Sequence, residues 1–167
     1  LHAGISNAAN MVRTFGGMIF FARIYITNFD ELYETLRALI GGAVVYSAVS
    51  VFEFRFSPQL HHMLYGYFQH SFDQFVRYGH FRPVGAMRHA IEFSFFMGTS
   101  CLLAVGLTAK KMFPPLWGIL PGWAVVGITL VGLACTLTFT GYSAFVMGAV
   151  LLAVLFGRPH RAWLLAL

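Results

Sequence analysis

The run AIEFSFFMGTSCLLAVGLTA, residues 90–109, limits most strongly what this chain can fold into. It contains twenty residues and a single charged side chain, Glu92. An α-helix rises 1.5 Å per residue, so twenty residues extend about 30 Å, which is the thickness of the hydrocarbon core of a bilayer. A run this long and this apolar predicts a helix that crosses a membrane.

Further apolar runs predict three more spans. They lie at about residues 32–52, 116–136 and 141–157. Residues 10–28 are also apolar but include Arg13 and Arg23, which is typical of the end of an earlier span or of a helix lying in the membrane interface. Only 10% of the residues are charged, whereas roughly a quarter is usual in soluble domains. The sequence therefore predicts an all-α, polytopic transmembrane helical bundle.

The ends of the chain indicate a fragment. The chain opens on Leu1 and closes with RAWLLAL, which resembles the start of another apolar run. We therefore expect residues 1–167 to form a single membrane domain cut from a longer polytopic protein. Nucleic acid is not an expected partner, because the formal net charge of +5 fits anionic lipid or an anionic substrate.

The distribution of basic residues predicts the side on which the long connection, residues 53–89, lies. Seven basic residues fall on one side of the predicted spans: Arg13, Arg23, Arg37, Lys110, Lys111, Arg158 and Arg161. Four lie in the connection: Arg55, Arg77, Arg82 and Arg88. Cytoplasmic loops carry the excess of Lys and Arg, so the connection is expected outside the cytoplasm. It is called the outer loop below.

The middle of the outer loop predicts an amphipathic helix. Ser57 and Pro58 are typical of a helix start, and Gly79 is typical of a stop. At the helical period, the aromatic and aliphatic face collects Leu60, Leu64, Tyr67, Phe68, Phe72, Phe75 and Tyr78, and the polar face collects His62, Gln69, His70, Asp73 and Arg77. Such a helix is expected to lie at the membrane surface.

The polar residues of the outer loop are unusual for a simple membrane anchor, because the loop contains no lysine. Arginine binds phosphate oxygens through a planar fork, and histidine exchanges a proton near neutral pH. The combination fits a phosphate-bearing substrate with an acid or base nearby. The simpler alternatives are hydrogen bonding by histidines at the interface and headgroup binding by Arg77 and Arg82. No HExxH pattern is present, so no metal is expected.

Two carboxylates lie where burial would be costly. Glu53 is at the outer end of the first predicted span and Glu92 is just inside the second. A carboxylate at such a depth needs a partner. Arg55 and Arg88 are the nearest candidates, and either structural ion pairing or a role in substrate binding would explain the two acids.

The run FEFRFSPQLHHMLYGYFQHSFDQFVRYGHFRPVGAMRHAIEFSFF resembles the loop of O-antigen polymerases and O-antigen ligase-like bacterial membrane proteins. The matching positions are Glu53, Arg55, Ser57, Pro58, His61, Tyr65, Gly66, His70, Ser71, Phe72, Gln74, Arg77, Gly79, Phe81, Arg82, Pro83 and His89. The chain departs from that pattern at His80 and Ala90, where the family has glycine.

The resemblance implies an integral membrane glycosyltransferase in the bacterial inner membrane, with the outer loop on the periplasmic face. Such proteins move a glycan from undecaprenyl pyrophosphate to an acceptor glycan or to the lipid A core, surrounded by membrane lipids and without a cofactor or metal. The alternative is a lipid or polysaccharide transporter, or a subunit of a membrane complex, whose basic outer loop binds anionic lipid without catalysis.

The glycosyltransferase hypothesis predicts a role for each polar residue named below. Arg77 and Arg82 are expected to clamp the pyrophosphate, with Arg55 and Arg88 as weaker candidates. His70 is the expected acid or base, because it lies within one helical turn of Asp73, its catalytic partner, and of Arg77. Positioning roles are expected for His61, His89, Gln74 and Glu53. The ligases of the family carry their catalytic histidine in a later outer loop, so the base can also lie outside this chain.

Overall fold

The structure, a computed structural model, describes residues 6, 12, 16–68 and 71–157. Within these residues the chain is mainly helical. The helices are α1 (Gly17–Tyr25), α2 (Phe29–Phe56), α3 (Leu60–Tyr65), α4 (Ala90–Ala109), α5 (Gly122–Ala134) and α6 (Phe139–Gly157). The outer loop adds a short 3-10 helix, Phe72–Phe75, and the antiparallel strands β1 (Val76–Arg77) and β2 (His80–Phe81), with Val76 opposite Phe81 and Arg77 opposite His80.

The chain divides into two compact units at residues 38 and 39, within α2. In the first unit, polar side chains fix the start of α2. The Asn28 side-chain oxygen accepts a hydrogen bond from the Glu31 backbone N–H at 2.9 Å. The Glu31 carboxylate in turn accepts hydrogen bonds from the backbone N–H and the hydroxyl of Thr27, at 2.7 and 2.9 Å. The bond from Glu31 satisfies one of the N–H groups that the first turn of a helix leaves without partners, and the bonds from Thr27 attach the preceding residue to that turn.

The second unit packs α2, α4, α5 and α6 around two clusters of buried apolar side chains. One cluster comprises Ile40, Ala104, Phe113, Leu116 and Val125, and the other comprises Ala43, Phe93, Met97 and Leu133. Helix α2 contributes one residue to each cluster, and α4 contributes to both. The core therefore lies between α2 and the three later helices.

Small residues allow the helices to approach closely. The Ser50 hydroxyl on α2 donates a hydrogen bond to the carbonyl of Gly132 on α5 at 2.8 Å. A Cβ on Gly132 would lie 2.5 Å from the Ser47 hydroxyl oxygen. Between α4 and α6, a Cβ on Gly141 would lie 2.6 Å from the Cβ of Ser94. Close contact through glycine and serine is the usual form of helix packing in membranes.

Two helices, α2 and α4, are long and apolar enough to cross a membrane, judged by length and composition. Helix α4 has the predicted bounds, residues 90–109, and α2 extends the predicted span 32–52 at both ends. Helix α6 begins two residues before the predicted start at 141. Residues 10–28 were predicted to be the end of an earlier span or an interfacial helix. The part of this region that the structure describes contains α1.

The prediction of one continuous helix over residues 116–136 is wrong. Helix α5 has only 13 residues. Before it, the backbone N–H of Leu116 donates to the carbonyl of Leu120 at 2.8 Å, and Trp117 and Gly118 turn through positive φ angles. Pro121 directly precedes the helix. Proline fixes φ and has no N–H, so it favours a helix start at this point over a continuous helix.

The prediction of an amphipathic helix through the outer loop is also wrong. Helix α3 ends at Tyr65, where Gly66 adopts a φ of +76° and its N–H donates to the carbonyl of His62 at 2.8 Å. Tyr78 and Gly79, at φ +53° and +76°, then reverse the chain between β1 and β2. Two successive residues with positive φ suit a tight hairpin. The predicted aromatic and polar faces therefore do not exist as faces of one helix.

Candidate anion-binding site

Glu53 holds both ends of the outer loop against α2. Its side chain is completely buried. Oε1 accepts a hydrogen bond from the backbone N–H of Leu60 at 2.9 Å. Oε2 accepts bonds from the backbone N–H groups of Val84 at 2.9 Å and Gly85 at 2.8 Å. Three N–H donors compensate the buried carboxylate, which would otherwise be costly to remove from water.

The ion pair expected between Glu53 and Arg55 is not formed among the described residues, whose ion pair is that of Arg37 with Glu34. Residues two positions apart on a helix do not face each other, which explains the difference. Glu92, on the first turn of α4, is exposed, as is its expected partner Arg88. The expected burial therefore applies to Glu53 and not to Glu92.

Arg82 connects the hairpin to the turn between α5 and α6. Its backbone N–H donates to the carbonyl of Phe75 at 2.6 Å, which continues the hairpin. In the guanidinium, Nη2 donates to the hydroxyl oxygen of Thr138 at 3.2 Å and Nη1 approaches the carbonyl of Gln74 at 3.5 Å. Thr138 is buried and its hydroxyl donates to the carbonyl of Thr136 at 2.8 Å. The Thr138 oxygen thus keeps its lone pairs for Arg82.

The Arg82 side chain lines a pocket of about 300 Å³ at the start of α4. The lining residues are Gln74, Phe75, Arg82, His89, Ala90 and Ile91. Ala90 and Ile91 form the first turn of α4, and His89 provides no side-chain cap for it. The first N–H groups of a helix lack intrahelical partners and carry the positive end of the helix dipole. Arg82 and the first residues of α4 therefore border the same small space. We call it the Arg82 pocket.

The electrostatics of the Arg82 pocket favour an anion. Burial, and then the like charge of Arg77, lower the pKa of the Arg82 guanidinium, which still remains protonated at neutral pH. The Nε atom of Arg82 is buried without a hydrogen-bond partner in the part of the chain that the structure describes. In that part, Arg82 forms no ion pair with a carboxylate. An anion entering the pocket would compensate this positive charge.

The structure brings only some of the predicted site residues together. Gln74 and His89 share the pocket with Arg82, and Arg77 lies close enough on β1 to act on its charge. Arg55 lines a different cleft, between α2 and α5. The four arginines therefore do not form one clamp.

Only one member of the predicted catalytic pair, Asp73, lies within the described residues. His70 lies outside them. Asp73 is exposed in the 3-10 helix and forms no ion pair with Arg77 or Arg82 where the structure is described. His89, for which the sequence predicted only a positioning role, is the histidine that lines the Arg82 pocket.

Two other histidines of the outer loop have packing roles. His61 is buried, its Nδ1 lies 3.1 Å from the carbonyl oxygen of Tyr67, and its ring packs against Tyr65 at 4.5 Å. The ring of His80 stacks on Phe54 at 4.6 Å and so attaches the hairpin to α2. The positioning role predicted for His61 stays a prediction. Neither ring is among the residues that line the Arg82 pocket.

Sequence reasoning missed Thr138 and the start of α4 as parts of the site. The only signal for Thr138 was the polar turn TFTG between two apolar runs. In comparisons with known proteins, the chain matches no family model, no curated protein and no solved structure. The resemblance to O-antigen polymerases and ligases therefore stays a prediction from the sequence.

Proposed function

We propose that this chain is part of a membrane glycosyltransferase of the O-antigen polymerase or ligase type, and that the Arg82 pocket binds the diphosphate of its lipid-linked glycan donor. The observation that carries the proposal is the convergence of the Arg82 guanidinium and the first turn of α4 on one pocket. Helix N-termini and arginines both bind phosphate, through N–H donors and positive charge.

The position of the pocket supports a substrate attached to a lipid. The pocket lies at the N-terminal end of α4, one of the two helices in the described residues that are long and apolar enough to cross a membrane. The end of a membrane-crossing helix lies at the level of the lipid headgroups. A diphosphate carried by a lipid would be presented at that level.

The chemistry that follows is transfer of a glycan from diphosphate to a hydroxyl. The bond between the anomeric carbon and the diphosphate oxygen breaks, and a bond to the acceptor oxygen forms. Negative charge grows on the departing diphosphate, where Arg82 and the N–H groups of α4 would stabilise it. The resemblance implies the donor, a glycan linked to undecaprenyl diphosphate, and the acceptor, which is a second glycan or the lipid A core; undecaprenyl diphosphate is the leaving group.

The acceptor hydroxyl must lose its proton to a base as the new bond forms. His89 lines the Arg82 pocket, and histidine accepts protons near neutral pH. We therefore consider His89, in addition to His70, a candidate for this base. Asp73 is a weaker candidate, since it forms no ion pair with Arg77 or Arg82 in the described residues.

Transfer in membrane vesicles tests the proposal. Vesicles containing the full-length protein receive an oligosaccharide on undecaprenyl diphosphate, and the glycan products are separated by gel electrophoresis. Arg82→Gln should lower the transfer rate by about 100-fold or more, because loss of one charge-stabilising donor typically costs that much. Arg82→Lys should restore little of it, whereas exposed Lys111→Gln should leave it unchanged. Full transfer by both Arg82 variants would refute the proposal.

A second candidate is a non-enzymatic transporter or complex subunit that binds an anionic lipid. The exposed position of Asp73 favours it, because this carboxylate, one half of the predicted catalytic pair, forms no ion pair with Arg77 or Arg82 in the described residues. The vesicle assay separates the two. Donor binding that depends on Arg82, with no transfer to any acceptor, would identify the non-enzymatic function.

A further inference from the structure

We propose that the groove between α2 and α5 binds one anionic diacyl phospholipid, with its phosphate at Arg55 and its acyl chains along α2. The proposal concerns a different surface from the Arg82 pocket. It depends on α2 crossing the membrane and not on the proposed glycosyl transfer.

The groove has a volume of about 1030 Å³, at the upper end of the roughly 300–1,000 Å³ that ligand pockets occupy. One wall is formed by one face of α2, from residue 44 to residue 56, whose lining residues recur every three or four positions. The other wall is formed by residues 123–131 of α5. Val51 and Phe52, on the α2 wall, remain 46% and 48% exposed. Apolar surface of this extent, exposed along one continuous groove, indicates a site that is covered in the membrane.

The two walls are in contact at Gly132 and leave a gap beside Gly127. Ser50 and Gly132 bring α2 and α5 into contact through a hydrogen bond of 2.8 Å. Farther along α5, a Cβ placed on Gly127 would have no atom within 4 Å. The space beside Gly127 is therefore available to a ligand without displacement of any side chain.

The length of the groove identifies the class of occupant. Residues 44–56 of a helix rise about 18 Å. The hydrocarbon core of a bilayer is about 30 Å thick, so one leaflet contributes about 15 Å. A further transmembrane helix would need a groove of the full thickness. The acyl chains of a lipid in a single leaflet match the observed length.

The charge at one end of the groove identifies the headgroup. Arg55 is the charged residue among those that line the groove, and it lies at the end next to the outer loop. Its guanidinium lies 5.9 Å from the ring centre of Phe56, and it forms no ion pair with a carboxylate in the described residues. A net negative headgroup would complement it, whereas a zwitterionic headgroup would add no net attraction.

Trp123 lines the groove and can report its occupant by fluorescence. In the full chain with Trp117→Phe and Trp163→Phe, reconstituted in mixed bilayers, Trp123 emission is quenched by brominated phosphatidylglycerol or by brominated phosphatidylcholine. We expect phosphatidylglycerol to bind about fivefold more strongly, as one basic residue at a membrane surface provides. Arg55→Gln should remove the preference, and Lys111→Gln should not.

Equal quenching by both lipids in the parent protein, or a preference that survives Arg55→Gln, would overturn the proposal. The absence of quenching by both lipids would also overturn it, because another protein segment would then fill the groove. Native mass spectrometry of the protein with all tryptophans present gives a second measurement. One retained phosphatidylglycerol is expected, lost in Arg55→Gln, and equal retention in that variant would contradict the site.

Discussion

The carboxylate of Glu53 accepts a hydrogen bond from the backbone N–H of Gly85 at 2.8 Å, although the two residues are 32 positions apart. The same carboxylate also accepts from Leu60, at the beginning of α3. One buried side chain on α2 therefore fixes the start and the end of the outer loop. Arg82 lies three residues before Gly85, so Glu53 positions the Arg82 segment without being part of its pocket.

Replacing Glu53 should destabilise the protein. In Glu53→Gln the amide nitrogen cannot accept a hydrogen bond, so at least one of the three N–H donors loses its acceptor. Such a loss in a buried site costs about 1–3 kcal/mol. We expect the midpoint of thermal unfolding in detergent, followed by intrinsic fluorescence, to fall by several degrees.

Glu34→Gln is the matched control for this change. Glu34 is exposed and pairs with Arg37 at 2.8 Å on the surface, an interaction that contributes at most about 1 kcal/mol. An unfolding midpoint lowered equally by both substitutions would mean that Glu53 does not anchor the loop.

Gly85 and Gly79 both have positive φ angles, +58° and +76°, but different surroundings. A Cβ on Gly85 would lie 2.8 Å from the ring of Tyr46 and 3.0 Å from that of Phe93, whereas nothing lies within 4 Å at Gly79. Gly79→Ala should lower the free energy of unfolding by about 1–2 kcal/mol through backbone strain alone. Gly85→Ala should lower the free energy of unfolding by about 1–3 kcal/mol more, because the rings of Tyr46 and Phe93 must also move. Unfolding midpoints measure both, and equal losses would contradict the close packing at Gly85.

Two glycines of α5 should respond oppositely to alanine. At Gly132 a Cβ would lie 2.6 Å from the terminal methyl of Met97, and at Gly127 it would meet nothing within 4 Å. Gly132→Ala should therefore separate α5 from its neighbours and lower the unfolding midpoint. Gly127→Ala should be neutral or should stabilise the helix by up to about 1 kcal/mol. A destabilised Gly127→Ala protein would show that another segment packs against this part of α5.

Hydropathy predicted the elements whose boundaries are polar. The bounds of α4 were predicted because His89 and Lys110 flank a run with one charge. The start of α5 was not predicted correctly, because residues 116–121 are as apolar as the helix that follows them. The backbone conformations of Trp117 and Gly118, together with Pro121, prevent a regular helix in these residues. A hydropathy profile does not contain information about backbone conformation.

The outer loop was misjudged for a related reason. Its side chains fit a helical period, but the dipeptide Tyr-Gly occurs twice, and each glycine adopts a left-handed conformation, at Gly66 and Gly79. Gly79 was predicted as a helix stop but lies in the hairpin turn between β1 and β2, and the actual helix stop at Gly66 was not predicted. The contacts of Glu53 and of Arg82 could not be predicted, because their partners are backbone groups and Thr138, far away in the sequence.

Thr138 should orient Arg82 by accepting its hydrogen bond at 3.2 Å. Thr138→Val keeps the shape and removes the oxygen, whereas Thr138→Ser keeps the oxygen. A hydrogen bond to a charged group contributes about 1.5–3 kcal/mol, and the partial exposure of Arg82 favours the lower end. We expect Thr138→Val to weaken diphosphate binding about tenfold and Thr138→Ser to weaken it little.

Titration with inorganic diphosphate, followed by intrinsic fluorescence, measures this difference. The unfolding midpoint of each variant is recorded as well, because Thr138 also donates to the carbonyl of Thr136. Equal affinities of the valine and serine variants, with intact folding, would exclude an orienting role for Thr138.

The most direct test of the account is the equilibrium binding of undecaprenyl diphosphate to the full-length protein in nanodiscs, compared with Arg82→Gln and Lys111→Gln. The account predicts saturable binding that weakens at least about tenfold in Arg82→Gln, as expected for loss of a charge-assisted bond to phosphate, and is unchanged in Lys111→Gln. Binding of equal strength in all three proteins would contradict the assignment of the Arg82 pocket as the diphosphate site.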